Sequence, residues 1–249
     1  MSDKIMFPVF EKFPEVRYGM SCCRDGTMNL GDPNGEEHRL NFLRDVAEIG
    51  CRSVFAPILE HGNSVACVTP DILRSKTTVA DGAVTDIDYA CLVVTGADCS
   101  ALFAYDPKRR VYGLAHSGRK STESNIASQF ISAFRRYGSR PQDIRIAIGP
   151  GICGKCYSVG EEAAEPFRND SLLKNYVLPS LVAGKTTHWF LDLPRMIRAQ
   201  LEEIGVLREH IDISGQCTYE MSVLFSHRRD KVDPPKRMLA YIFLESPVK

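Results

Sequence analysis

The amino-acid sequence predicts an α+β fold. Strand-like and helix-like segments are mixed along the chain without the regular strand–helix alternation of a doubly wound sheet. No internal repeat, low-complexity linker or change of composition marks a domain boundary. The chain has 249 residues, of which 44% are hydrophobic and 25% charged, and this is enough to bury a substantial core. We therefore expect residues 1–249 to form a single domain.

Helices are predicted where apolar residues recur at helical spacing between a capping residue and a glycine. The clearest pattern begins at Ser121, which is a good N-cap, and ends at Tyr137, directly before a glycine. Other predicted helices cover Glu36–Ile49, Gly160–Phe167 and Pro194–Ile204.

Strands are predicted where short apolar runs are bounded by turn residues. These runs are Val16–Gly19, Ser53–Leu59, Ser64–Val68, Tyr89–Val94, Ser100–Tyr105, Val111–Ala115, Ile144–Ile148, Ile211–Ser214 and Met238–Leu244. Two stretches have loop composition instead, the polar Ser21–Asn34 and the Thr-, Asp- and Gly-containing Thr77–Asp88.

The charge balance and hydropathy exclude several classes of partner. Lys plus Arg and Asp plus Glu both number 31, so nothing points to nucleic acid or to an anionic membrane. No apolar run approaches the ~18 residues that a membrane span needs, and the first residues lack a signal-peptide pattern. We expect a cytoplasmic protein whose nine cysteines are reduced thiols.

Three side chains with metal-binding chemistry stand in matching positions. His61, Cys99 and His116 each lie at the end of a strand-like run and are flanked by small residues or glycine. The spacing of Cys99 and His116 accommodates a hairpin out and back. Two imidazoles and one thiolate suit zinc, and three protein ligands leave the fourth position free for water or substrate, as in catalytic zinc sites.

A second chemistry uses two of the same residues. Cys99 as nucleophile and His116 as base would make a cysteine hydrolase or deamidase. Asp98 is poorly placed to orient the base, because neighbouring residues of a strand point to opposite faces.

Three further motifs carry weaker signals. Cys153 and Cys156 form a CxxC pair, but without a second cysteine pair we interpret them as structural thiols. The segment 149–154 matches G-x-G-x-x-G, but no helix begins inside it, which argues against a dinucleotide site. Arg119 and Lys120 form a basic turn directly after His116, and a phosphate or carboxylate subsite there competes with a simple solvated turn.

The full set of short motifs resembles one family. The matching segments, in order, are Met28–Gly31, Glu60–Asn63, Gly96–Cys99, Ala115–Gly118, Ile148–Pro150, Cys156–Gly160, Leu191–Leu193, Cys217–Tyr219, Phe225–Asp230 and Arg237–Met238. From about Val16 to Leu244 the chain is similar to the YfiH/DUF152 family, also labelled laccase-domain or multicopper polyphenol oxidase proteins and purine nucleoside phosphorylases.

The resemblance implies a fold, a cofactor and an activity. The implied fold is a single α+β domain of mixed sheets flanked by helices, and the implied zinc ligands are His61, Cys99 and His116. The implied substrates are purine nucleosides, with phosphorolysis of adenosine, inosine, guanosine or methylthioadenosine and deamination of adenosine. Copper, which the laccase label implies, is the less suitable metal, because the six histidines leave few ligands for further copper sites.

The resemblance also suggests roles for individual residues. We expect Cys99 and His116 to be catalytic together with Asp98, the latter as a candidate proton shuttle. The expected substrate and phosphate contacts are Arg119, Lys120 and Asn29.

This chain departs from the family pattern beside the metal ligands. The family usually has Gln two residues before the first histidine, where this chain has Leu59. After the third ligand the family has Trp-Arg-Gly where this chain has Arg119, Lys120 and Ser121. Lysine is not a bidentate phosphate clamp, so a non-catalytic paralogue remains a further alternative.

Overall fold

Three β-sheets and seven α-helices make up the structure, a computed structural model that describes residues 6–74, 78–182 and 185–246. The strands are β1 (Val16–Met20), β2 (Ser53–Phe55), β3 (Val65–Cys67), β4 (Gly82–Thr85), β5 (Ala90–Gly96), β6 (Ser100–Asp106), β7 (Val111–Ser117), β8 (Arg145–Ile148), β9 (Ser158–Val159), β10 (Val177–Val182), β11 (Lys185–Leu191), β12 (Ile211–Ile213) and β13 (Met238–Leu244). The helices are α1 (Gly35–Glu48), α2 (Pro70–Arg74), α3 (Arg119–Glu123), α4 (Ile126–Arg136), α5 (Glu161–Asn169), α6 (Leu193–Ile204) and α7 (His227–Asp230).

The central sheet has six strands in the order β12-β8-β6-β7-β4-β3. Its two outer pairs, β12–β8 and β4–β3, are parallel, and the inner pairs are antiparallel. Strands β6 and β7 form a hairpin in which Ser100 lies opposite Ser117 and Ala101 opposite His116. The hairpin therefore places the residue before β6 beside the last residues of β7.

The six-stranded sheet is covered on both faces, as the residues of β6 show. Phe103 and Tyr105 point into a core shared with the four-stranded sheet, whose order is β1-β13-β5-β2. Leu102 and Ala104 point to the other face and pack against residues of α4 and α6. Neighbouring strand residues face opposite ways, so a strand that is covered on both faces is apolar on both, as β6 is between its polar end residues Ser100 and Asp106.

The third sheet forms a smaller layer. Its order is β10-β11-β9, and it packs with α5 around Phe167 and Leu191. Helix α6 joins this layer to the rest, because Met196 belongs to its core while Ile197 belongs to the core beside α4. No helix within the described ranges is long and apolar enough to cross a membrane.

The predicted fold class is confirmed, and so are most of the predicted elements. The helix predicted from Ser121 to Tyr137 is instead two helices, α3 and α4. The chain breaks at Asn125, whose backbone is left-handed (φ 57°) and whose side chain accepts a hydrogen bond from the Ser128 amide at 3.0 Å. The apolar residues of this stretch all belong to α4, and the capping residue is Asn125, four residues after the Ser121 that the sequence suggested.

Two sequence predictions about strands are wrong. The composition of Thr77–Asp88 predicts a loop, but the stretch contains the fully buried strand β4, while Thr77 itself lies outside the described residues. A Cβ atom on Gly82 would lie 2.8 Å from the Ala115 Cβ, so close strand packing requires the glycine that made this stretch resemble a loop. The strand predicted for Ser53–Leu59 ends at Phe55.

Candidate metal centre

The structure brings together the three side chains that the sequence singles out as metal ligands. His61 lies in a loop with a left-handed backbone (φ 60°), Cys99 directly precedes β6, and His116 is in β7. One ligand atom from each residue lies within 4.8 Å of the others. The two imidazole rings meet edge to face, with their centroids 4.9 Å apart.

His116 is held with one ring nitrogen free. Its Nδ1 lies 2.9 Å from the Thr95 carbonyl oxygen, so Nδ1–H donates there and Nε2 keeps its lone pair. Nε2 is buried and has no hydrogen-bond partner. Burial, followed by the nearby His61, lowers the pKa of His116 to about 4, so the imidazole is neutral near pH 7. A buried, unpartnered acceptor of this kind fits a metal ligand whose orientation is fixed by the hydrogen bond of its other nitrogen.

Cys99 is a protonated thiol unless a cation lies beside it. Burial, followed by the Asp98 carboxylate, raises the pKa of Cys99 to about 12. A coordinated metal reverses this effect, because it binds the thiolate directly. The Cys99 environment therefore suits a thiol that ionises on metal binding.

Asp81 connects the two histidines, and sequence reasoning missed it. Its Oδ1 accepts a hydrogen bond from the His61 amide and its Oδ2 one from the Gly62 amide, both at 2.7 Å. Its backbone carbonyl accepts from the His116 amide, also at 2.7 Å. The residue is buried, and it lies in the stretch that the sequence assigned to a loop, where an aspartate is unremarkable.

Both carboxylate oxygens of Asp98 accept hydrogen bonds from other segments of the chain. Its Oδ1 accepts from the Thr218 hydroxyl at 2.6 Å, and its Oδ2 from the Arg228 amide at 2.7 Å. Its backbone is left-handed (φ 82°), and its carbonyl accepts from the Ile152 amide at 2.9 Å. These contacts make Asp98 a residue that holds the turn presenting Cys99, and its role as a proton shuttle stays a prediction.

A wide cleft of about 870 Å³ opens beside His61. Arg119 and Lys120 line one side of it, and Gly160 and Glu162, at the start of α5, line another. Arg119 Nη1 also forms an ion pair with Glu123 Oε2 at 3.2 Å. The basic turn predicted as an anion subsite thus lies in the same cleft as His61.

Two other sequence-predicted positions do not line this cleft. The Asn29 side chain is engaged elsewhere: Nδ2 donates to the Pro235 carbonyl at 2.7 Å, and Oδ1 accepts from the Gly31 amide at 3.1 Å. Its role in substrate binding stays a prediction. Leu59, where the family has Gln, packs partly buried against the core between the two larger sheets.

Gly118 is the position most sensitive to added volume at the triad. A Cβ atom there would lie 2.4 Å from the Cys99 Sγ, far inside van der Waals contact. We expect Gly118→Ala to weaken metal binding about 10- to 100-fold, the range seen when groups that support metal ligands are changed. Competition titration with a chromophoric chelator measures this. Gly160→Ala is the matched control, since a Cβ on Gly160 meets nothing within 4 Å; equal affinities in both variants would contradict the geometry.

The depressed pKa of His116 predicts a pH dependence of stability for metal-free protein. The unfolded state, with a histidine pKa of about 6.5, takes up a proton below that pH, whereas the native state does so only near pH 4. The free energy of unfolding should therefore fall as pH drops from about 6.5 to 4, by at most about 1.4 kcal/mol per pH unit from this residue. Urea unfolding of EDTA-treated protein checks this, and His116→Gln should flatten the dependence. An unchanged dependence in that variant would contradict it.

Comparison with known proteins places this chain in a family. The sequence profile described as multi-copper polyphenol oxidoreductase laccase matches residues 18–245. The chain is 36% identical over 169 residues to purine nucleoside phosphorylase YlmD of Bacillus subtilis, an alignment that covers 65% of this chain and 58% of that protein. It is 39% identical over 201 residues to a purine nucleoside phosphorylase of Deinococcus radiodurans, covering 81% of this chain and 68% of that protein.

Comparison with solved structures supports the same family as the sequence comparison. The crystal structure of the hypothetical protein YfiH from Bacillus licheniformis superposes with a TM-score of 0.83 at 28% identity, covering 94% of this chain and 95% of that one. Together with the profile match over residues 18–245, this similarity shows that the chain belongs to the multi-copper polyphenol oxidoreductase laccase family and has the YfiH-like α+β fold.

Proposed function

We propose that this chain is a zinc-dependent purine nucleoside enzyme. The observation that carries the proposal is the position of the His61, Cys99 and His116 triad beside a cleft that Arg119 and Lys120 line. The donor set of two imidazoles and one thiol suits zinc with a free fourth position. The printed names of the Bacillus subtilis and Deinococcus radiodurans relatives support a nucleoside as the substrate.

Zinc is a better match to the donor set than a multicopper centre. Oxygen reduction needs copper sites in addition to a His-Cys-His one. Within the described ranges, the four other histidines belong to no cluster of potential metal ligands. When bound, zinc would supply Lewis acidity, polarising the substrate or activating a water molecule.

For phosphorolysis, the chain's own residues supply the anion subsite. Phosphate forms a bond from one oxygen to ribose C1′ while the bond from C1′ to purine N9 breaks, and the purine leaves with the electron pair and takes up a proton. Lys120 is exposed and Arg119 half-buried in the cleft wall, so both cations can face phosphate there. Because Arg119 is already paired with Glu123, we propose that phosphate competes with that carboxylate.

For deamination of adenosine, the same cleft would hold the purine with its C6 toward the triad. Water adds to C6, the bond from C6 to the amino nitrogen breaks, and inosine and ammonia result. Both carboxylate oxygens of Asp98 accept hydrogen bonds from other residues, so these contacts do not identify Asp98 as the proton carrier of this step.

The metal-free cysteine hydrolase is disfavoured by the electrostatics of the pair. A nucleophilic thiolate needs a base that takes its proton. Burial raises the pKa of Cys99 to about 12 and lowers that of His116 to about 4, so proton transfer from thiol to imidazole is strongly unfavourable. The non-catalytic paralogue stays open and is decided by experiment.

A nucleoside panel tests the proposed function. Purified protein is incubated with adenosine, inosine, guanosine and methylthioadenosine, with and without phosphate, and the products are separated by chromatography. We expect phosphate-dependent release of free base, conversion of adenosine to inosine without phosphate, and loss of both in Cys99→Ala. Cys67→Ala is the matched control, since Cys67 is a partly exposed cysteine outside the triad.

Other outcomes of the panel point to the two alternatives. Identical traces from wild-type protein and Cys99→Ala would indicate the non-catalytic paralogue. Reaction of metal-free protein with glutamine substrates, and with no nucleoside, would indicate the cysteine hydrolase.

The cleft geometry predicts opposite effects of two substitutions on phosphate affinity. Arg119→Ala should raise the KM for phosphate about tenfold or more, because a hydrogen bond to a charged group contributes about 1.5–3 kcal/mol. Glu123→Gln should lower that KM, since it releases the Arg119 guanidinium. Initial rates at varied phosphate and saturating nucleoside measure both, with Lys174→Ala as an exposed-cation control outside the cleft. A KM unchanged by Arg119→Ala would place phosphate elsewhere.

A further inference from the structure

A second group of potential metal ligands lies outside the triad. One ligand atom from each of Cys153, Cys156, Cys217 and Glu220 lies within 4.8 Å of the others. Cys153 and Cys156 follow strand β8, and Cys217 and Glu220 follow strand β12. Because β8 and β12 are parallel neighbours, the chain leaves both strands at the same edge of the sheet, and the two segments meet there.

The four residues form two pairs of equal spacing. Cys153 and Cys156 are separated by two residues, and so are Cys217 and Glu220. Short two-residue spacing of this kind lets both members of a pair reach one ion. A search of the sequence for a second cysteine pair misses this arrangement, because the last donor is a carboxylate.

Local hydrogen bonds orient the donor atoms toward a common centre. The Cys153 amide donates to the Cys217 Sγ at 3.3 Å, and the Cys156 thiol donates to the Glu220 Oε1 at 3.4 Å. The two segments are thus already joined by hydrogen bonds within the cluster.

We propose that Cys153, Cys156, Cys217 and Glu220 bind a second zinc ion, with four protein ligands and a structural role. Tetrahedral zinc with bonds of about 2.3 Å to sulfur places sulfur atoms about 3.8 Å apart, so the cluster needs only a small contraction to hold it. Three thiolates and one carboxylate fill all four positions, which leaves none for substrate. This site is independent of the proposed nucleoside activity.

The second ion would support the first site through a short chain of contacts. Cys217 forms an isolated β-bridge with Gly151, and the Thr218 amide donates to the Gly151 carbonyl at 3.1 Å. The Thr218 hydroxyl donates to Asp98, the residue directly before Cys99. An ion that joins the segment after β8 to the segment after β12 therefore fixes the position of the turn that presents Cys99.

Cobalt(II) titration of a variant without the first site tests the proposal. His61→Asn combined with His116→Asn removes two of the three triad ligands, and its fold is checked by circular dichroism. Under reducing conditions we expect this variant to bind one cobalt ion per chain, with an intense thiolate-to-cobalt charge-transfer band. Adding Cys153→Ser or Cys217→Ser should abolish tight binding. Adding Glu220→Gln should keep the band and weaken binding by about tenfold or more, since one of four donors is lost.

Cys67→Ser in the same background is the matched control and should leave the titration unchanged. Absence of the band, or a disulfide between two of the three cysteines in freshly purified protein by mass spectrometry, would overturn the proposal. If the double variant does not fold, zinc counting decides: two zinc ions per wild-type chain support the second site and one ion contradicts it. Because the readout is metal binding, it is separate from any failure of the nucleoside assay.

Discussion

The antiparallel register between β6 and β7 is the constraint on which the site depends. With Ala101 opposite His116, the turn that carries Cys99 lies beside the end of β7. A slip of one residue would turn His116 to the other face of the sheet and move every apolar side chain of the strand out of its layer. Because β6 is buried on both faces, the two hydrophobic cores together enforce the register that positions the two ligands.

The site places polar groups at the end of this apolar sheet, and burial determines their chemistry. Without a metal, the His116 Nε2 has no partner and the Cys99 thiol stays protonated. The unpartnered Nε2 costs free energy, because a buried polar atom without a hydrogen bond has lost its hydration, whereas burial favours the neutral thiol over the thiolate. A bound cation gives the lone pair a partner and stabilises the thiolate at the same time. The protein thus holds ligands in an arrangement that a metal ion stabilises and that a proton does not.

The sequence predicts the features that depend on local interactions, and it misses those that depend on contacts between residues far apart in the chain. The strands β6 and β7, helix α1 and helix α6 follow from local periodicity, and the triad follows from polar residues at strand ends. Strand β4 and Asp81 do not, because Gly82 is selected by its close approach to Ala115, a contact with a residue far away in the chain. The break at Asn125 is hidden for a different reason, since Ser121 and Asn125 are both good N-cap residues and only the second caps the apolar helix α4.

The cluster of three cysteines and Glu220 is the feature that local sequence predicts least, because only the strand order of the sheet brings its members together. Neither pair is a metal signature in isolation, and nothing local relates Cys156 to Cys217. The parallel pairing of β8 with β12 brings the two pairs to one sheet edge, and Thr218 then continues from the cluster to Asp98. Asp98 has a left-handed backbone and two engaged carboxylate oxygens, so the turn before Cys99 is held by Thr218, beside the second cluster, and by the Arg228 amide. The position of the Cys99 thiol therefore depends on contacts from outside the hairpin as well as on the register of the hairpin itself.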